Sequence, residues 1–167
     1  MPEDLMRSTA LFFASLWLLQ ANAQADEMGV ARKLADNKFE ANPALPDCAS
    51  AAPANGDPSK EAFVLLVKLK GNCKVPWHWH TANEELFIIS GNATMEMKDM
   101  KPTKLGAGGY SRMAGKHPHQ LTCAGGCMLF VSSDGAFDIH YIDTDGKEIS
   151  KEEALAKKPV QARRPPK

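Results

Sequence analysis

Three residues within a short stretch carry the clearest chemistry in this chain: His78, His80 and Glu84, in GNCKVPWHWHTANEELFIISG from Gly71 to Gly91. The residues around them are strand-forming, with Val75, Trp77 and Trp79 before and Leu86 to Ile89 after. Along a strand, residues i and i+2 share a face, so His78 and His80 converge while Trp77 and Trp79 point the other way. Thr81-Ala82-Asn83 turns the chain and returns Glu84 toward the two imidazoles. Two imidazoles and a carboxylate on a rigid sheet suit a divalent transition metal with open coordination positions. The bland alternative is a strand with two incidental histidines. A second histidine group downstream, His117-Pro118-His119 after Gly108-Gly109, weighs against it.

With both groups in view, the chain resembles the cupins. Their first motif has the form G-x5-H-x-H-x3/4-E-x6-G. His78-x-His80-x3-Glu84-x6-Gly91 matches it in spacing, with the gap from Gly71 to His78 one residue longer. Their second motif has the form G-x5-P-x-G-x2-H-x3-N. Gly108 and His119 fall on it, but Ala114 replaces the usual Pro, Lys116 the usual Gly and Cys123 the usual Asn. The resemblance covers roughly residues 60 to 143. It implies an all-β, cupin-type double-stranded β-helix, or jelly-roll barrel. It also implies a metal set of His78, His80, Glu84 and His119, holding one divalent ion of Fe, Mn, Zn, Ni or Cu. His117 is expected at the surface or behind the ligands. His140 reads as ordinary strand decoration, and Glu85 points outward by alternation.

The elements that must position these residues follow from patterning. The chain has 167 residues, 44% hydrophobic and 24% charged, with 20 basic and 20 acidic side chains, which suits one globular domain. Zero net charge gives no electrostatic footprint for nucleic acid or an anionic membrane. Residues 1–25 read as a signal peptide: Arg7, the apolar run Ala10 to Leu19, and an Ala-x-Ala cleavage pattern ending at Ala23 or Ala25. Residues 26–60 form an arm, with a short helix between Met28 and Phe39 and a loop from Ala49 to Pro58. The barrel spans 61–148. Strands are expected over Glu61 to Leu69, through the two halves of the first motif, and over Asn92 to Met100. Further strands follow on either side of a tight turn at Ala124-Gly125-Gly126, and over Phe137 to Tyr141. Residues 149–167 hold a short helix from Lys151 to Ala156, capped by Ser150 with Glu153 in a capping box, and a disordered basic tail.

The four cysteines, 48, 73, 123 and 127, together with the signal peptide, indicate an oxidising compartment and a secreted or periplasmic protein with no membrane span after cleavage. Cys123 and Cys127 flank the tight turn, which favours their pairing and leaves Cys48 with Cys73. A bond from Cys73 to Cys123 or Cys127 is the competing arrangement, since cupins set the two motif strands side by side. Trp77 and Trp79 need a cover, either the arm or a second copy in a homodimer. Two functions compete. One is a metal-dependent enzyme acting on a small molecule by dioxygenase, isomerase, decarboxylase or hydrolase chemistry. The other is a non-catalytic module that binds or senses a metal or small ligand. An empty structural barrel is a third, weaker reading.

Overall fold

The computed structural model describes residues 29–156. The expected signal peptide and basic tail lie outside the described residues. The chain divides between Ala31 and Arg32, and everything below concerns the unit from Arg32 onward. Eight strands form one antiparallel sheet that curls on itself: β1 (Ala49–Asn55), β2 (Phe63–Trp79), β3 (Glu84–Gly91), β4 (Ala93–Met97), β5 (Thr103–Leu105), β6 (Tyr110–Met113), β7 (His119–Ser133) and β8 (His140–Tyr141). The main path runs β1-β2-β7-β3-β6. β4 pairs with β7 and carries β5, and β8 pairs with the end of β2. This is the jelly-roll architecture expected from the motifs, followed by a short helix, α1 (Lys151–Leu155), whose N-cap Ser150 accepts from Glu153 N at 3.1 Å.

The two long strands are the main departure from the expected element list. β2 and β7 pair along nearly their whole lengths, through Gly71 opposite Gly125, so neither is interrupted by a turn. Both bend instead. The Cα atoms of Cys123 and Cys127 are 5.8 Å apart, whereas five extended residues would span roughly 13 Å. Asn72 and Gly126 take positive φ at this level, and so does Gly91, where a Cβ would collide with the Gly126 carbonyl. Each half of a bent strand then meets a different neighbour. β7 pairs with β3 from Cys127 onward and with β4 from His119 to Thr122. Odd-numbered residues of β2 and β7, such as Leu65, Val67, Leu121 and Leu129, fill the interior with Leu86 and Ile88 of β3.

The arm also differs. Ala49–Asn55, expected as loop, is an edge strand paired with β2. The small Ala49 and Ala52 are buried against the sheet, and Pro53 sits at a register shift, where a missing N–H is tolerated. The expected helix between Met28 and Phe39 is reduced to one 3-10 turn, Leu34–Asp36. Asn37 Nδ2 donates to the Lys33 and Leu34 carbonyls and closes that turn, after which Glu40 bridges to Ala51. The disulfides are Cys48–Cys73 and Cys123–Cys127. Cys73 and Cys123 are cross-strand partners, yet each bonds elsewhere. Cys48–Cys73 ties the arm to β2, and Tyr141 Oη donates to Ala44 O at 2.8 Å, which places Leu45 over the barrel interior.

Candidate metal centre

His78 lies near the end of β2, and His80 just past it. Between Val75 and His78 the β2–β7 register slips by one residue, so that two β2 residues, Pro76 and Trp77, face the single Gln120. Pro76 has no N–H to offer the ladder, and such a bulge switches which alternate residues face inward. His78 is consequently brought opposite His119 of β7. Thr81–Asn83 turns the chain, and Glu84 opens β3 on the inner face. All four side chains are buried, and their rings crowd: the His78 and His119 centroids are 4.2 Å apart and those of His78 and His80 4.8 Å. One ring nitrogen from each of His78, His80 and His119 lies within 4.8 Å of the others. Glu84 Oε1 is 3.4 Å from His80 Nε2, and Oε2 is 3.2 Å from His119 Nε2.

The other nitrogen of each ring fixes the chemistry. His78 Nδ1 meets Pro76 O at 2.6 Å, His119 Nδ1 meets His117 O at 2.8 Å, and His80 Nδ1 meets Asp138 O. A carbonyl only accepts, so each Nδ1 carries the hydrogen, and Nε2 is the ring atom left to offer a lone pair. Those lone pairs converge with the Glu84 carboxylate, which is also an acceptor. His80 Nε2 and His119 Nε2 are buried without a hydrogen-bond partner. Acceptors gathered in a dry site are satisfied by a cation between them, and the three histidines are close enough to hold one. Backbone carbonyls that orient imidazole ligands are also the usual outer support of a metal site.

The electrostatics agree. Burial, reinforced by His119 and His80, pushes the His78 pKa down to about 3, which keeps that ring neutral and able to ligate. For Glu84, burial works upward, but positive charge carried beside it among the imidazoles outweighs it and brings its pKa down to about 2, the effect a cation held in this site would also have. The site is therefore a charged carboxylate facing a neutral His78 and two further imidazoles. It opens on an interior cavity of about 60 Å³ whose remaining lining is aliphatic and aromatic, including Leu45, Leu86, Phe137 and Ile139.

His117 stands apart. Its ring Nε2 is 3.3 Å from Lys98 O, and only its carbonyl reaches the cluster, through His119. Glu85 faces outward, accepting from Tyr110 Oη at 3.0 Å. Lys116, at the usual Gly position of the second motif, takes φ 64° and donates its N–H to His80 O at 2.7 Å, so the turn is kept without glycine. Cys123, at the usual Asn position, is used in a disulfide. Two residues escaped the sequence reading. Asp138 holds His80 through its carbonyl, and its carboxylate accepts from Thr81 N at 2.8 Å. His140, expected as decoration, stacks on Trp79 with centroids 3.8 Å apart and contacts Glu148 and Asp138. One face of Trp79 is thus covered by His140 of β8. A backbone carbonyl leaves no trace in side-chain spacing, which is why Asp138 was missed.

Residues 65–132 match the family model described as the cupin domain. No curated protein matches the chain in sequence. Among solved structures, the polyketide cyclase RemF from Streptomyces resistomycificus is similar at 16% identity, over 71% of this chain and 90% of that one, with a TM-score of 0.59. The DMSP lyase DddQ from Ruegeria pomeroyi DSS-3 is similar at 21% identity, over 68% of this chain and 64% of that one, with a TM-score of 0.55. An RmlC-like cupin from Shewanella frigidimarina NCIMB 400 is similar at 13% identity, over 64% of this chain and 91% of that one, with a TM-score of 0.56. Motif, sheet topology, the family match over residues 65–132 and the fold of the neighbours agree, and together they support membership of the cupin superfamily.

Proposed function

We propose that this protein is an exported cupin that holds one divalent transition metal through His78, His80, Glu84 and His119 and acts on a small molecule as a metal-dependent enzyme. One observation carries the metal assignment. Three buried imidazoles are each locked by a backbone carbonyl at Nδ1, and their Nε2 atoms converge with a carboxylate and no donor. Three nitrogens and one oxygen suit Fe, Mn, Zn, Ni or Cu. Such an ion, when bound, supplies a Lewis acid with open positions toward the cavity. The chain's own part is to orient the rings, keep Glu84 charged and exclude bulk water with an aliphatic wall. A polyketide cyclase and a DMSP lyase among the structural neighbours support small-molecule chemistry. The two disulfides support export.

A second reading is a non-catalytic binding or sensing module. It is favoured by the lining of the interior cavity, in which the titratable side chains are only the four candidate ligands. Metal content per chain after native purification tests the metal assignment. His78→Ala, His80→Ala, Glu84→Ala and His119→Ala should each lower retention by at least about tenfold, given typical effects of metal-site changes. His117→Ala should retain wild-type content. Metal-free wild-type protein, or full retention in all four ligand variants, removes the reading. Turnover seen only in metallated protein separates the enzyme from the binding module.

A further inference from the structure

The barrel leaves one seam unpaired. β5 bonds to β4 and β6 bonds to β3, so each presents its other edge to a gap among the described residues. A groove of about 430 Å³ occupies this gap. That is within the range of sites for small organic ligands, whereas the interior cavity of about 60 Å³ has room for roughly two waters. The seam groove is therefore the roomier of the two sites.

The groove has a definite chemistry. Its apolar wall is Met95, Met97, Met100 and Leu105, and its cations are Lys101 and Arg112. No Asp or Glu lines it. Methionines are unbranched and polarizable, and adapt to ligands of varied outline. Met100 N donates to Met97 O at 3.1 Å, folding the Met100–Lys101 rim back over the wall. Arg112 meets Glu85 through Nε at 3.7 Å, and that carboxylate also accepts from Tyr110. Arg112 also stands near Asp134, whose carboxyl it helps to hold below its ordinary value, so its charge is shared; its guanidinium remains well shaped for a ligand carboxylate. Two positive charges without a carboxylate in the wall disfavour a cation and favour an anion. At the inner end, Met97 stands opposite the candidate ligand His119 in the β4–β7 register.

We propose that the β5–β6 seam is a binding groove for a small organic carboxylate with an apolar chain. Lys101 and Arg112 take the carboxylate, and the methionines take the chain. The groove stands on its own residues, so it does not depend on whether the histidine cluster holds metal. Calorimetric titration of the full chain with hexanoate, hexanol and hexylammonium tests it, on protein both as purified and stripped with EDTA. Saturable hexanoate binding is expected in both states, at least about tenfold tighter than hexanol or hexylammonium. Lys101→Gln/Arg112→Gln should weaken it about tenfold or more, and so should Met100→Glu, which brings a negative charge to an exposed rim position. Urea midpoints close to wild type would confirm that these variants fold. Equal binding of hexanol, unchanged binding in both variants, or no saturable binding overturns the proposal. So does hexanoate binding that vanishes with EDTA or in His80→Ala, which would place the carboxylate on the metal instead.

Discussion

Removing the Cys48–Cys73 disulfide should cost more than removing Cys123–Cys127, and the difference can be worked from the chain. The first bridge closes a sequence separation of 25 residues, the second one of 4. A loop-entropy term of about 2.1 + 1.5R ln n cal/mol/K gives about 3.5 kcal/mol for the long loop and about 1.9 for the short one. Each double Cys→Ala change also removes two sulfur atoms from packed surroundings, with Cys73 and Cys123 both fully buried. These packing losses are similar, so the predicted difference of about 1.6 kcal/mol rests on the loops. Urea unfolding of Cys48→Ala/Cys73→Ala beside Cys123→Ala/Cys127→Ala, both under oxidising conditions, measures it directly. The long-loop variant should also exchange its Leu45 amide faster, since the bridge and the Tyr141–Ala44 hydrogen bond together hold the arm. An equal or larger loss for the short bridge would refute the argument, and would mean that the bend at Cys123–Cys127 is what the fold depends on.

The remaining predictions concern the site and its turn. Metal-free protein should lose stability as pH falls. His78 has its pKa depressed to about 3, so between its ordinary 6.5 and that value the unfolded chain binds the proton that the folded chain refuses; Glu84, depressed to about 2, adds a loss between about 4.5 and 2. Unfolding free energies from urea titrations should fall from pH 7 to pH 4 by an amount on the order of a few kcal/mol, less so in His78→Leu, and a flat profile would contradict the burial argument. Lys116→Gly should stabilise the protein by roughly 0.5–1 kcal/mol, the relief of a left-handed non-glycine residue less the added freedom of the unfolded chain. A lower thermal midpoint in that variant would show that Lys116 contributes through its side chain, whose ammonium is 6.0 Å from the Trp79 ring centroid.

Much of the fold was legible because it is written in alternation and spacing. Ala93, Met95 and Leu121, Leu129, Val131 alternate as half-buried strands do, and they are half-buried strands. The Ser150 cap reads directly, since a side-chain oxygen three residues before Glu153 has one helical use. What failed to read was continuity. Gly71, Gly125 and Gly126 are turn signals by composition, and a local rule ends a strand at them. They serve as bends in ladders that continue, because the neighbouring strand supplies hydrogen bonds on both sides of each bend. The arm strand was hidden for a related reason. Alanine and proline have little strand preference, and Ala49–Asn55 is extended only because β2 offers it an edge.

The site shows the same division between what spacing encodes and what pairing decides. His78 and His80 share a face in any extended chain, so their convergence is local. Which face is not local. Leu65, Val67, Leu69, Cys73 and Val75 all point inward, and a strand continued without a fault would send Trp77 and Trp79 into the barrel and both histidines to its outside. The slip between Val75 and His78 reverses the alternation and carries the histidines in. Its cause is visible in Pro76, which cannot donate to β7 and whose freed carbonyl then receives His78 Nδ1. One residue thus sets both the inward turn of the pair and the tautomer of its first member. The extra residue between Gly71 and His78, measured against the cupin motif, lies in this same segment, where the strand takes up one more residue than its partner.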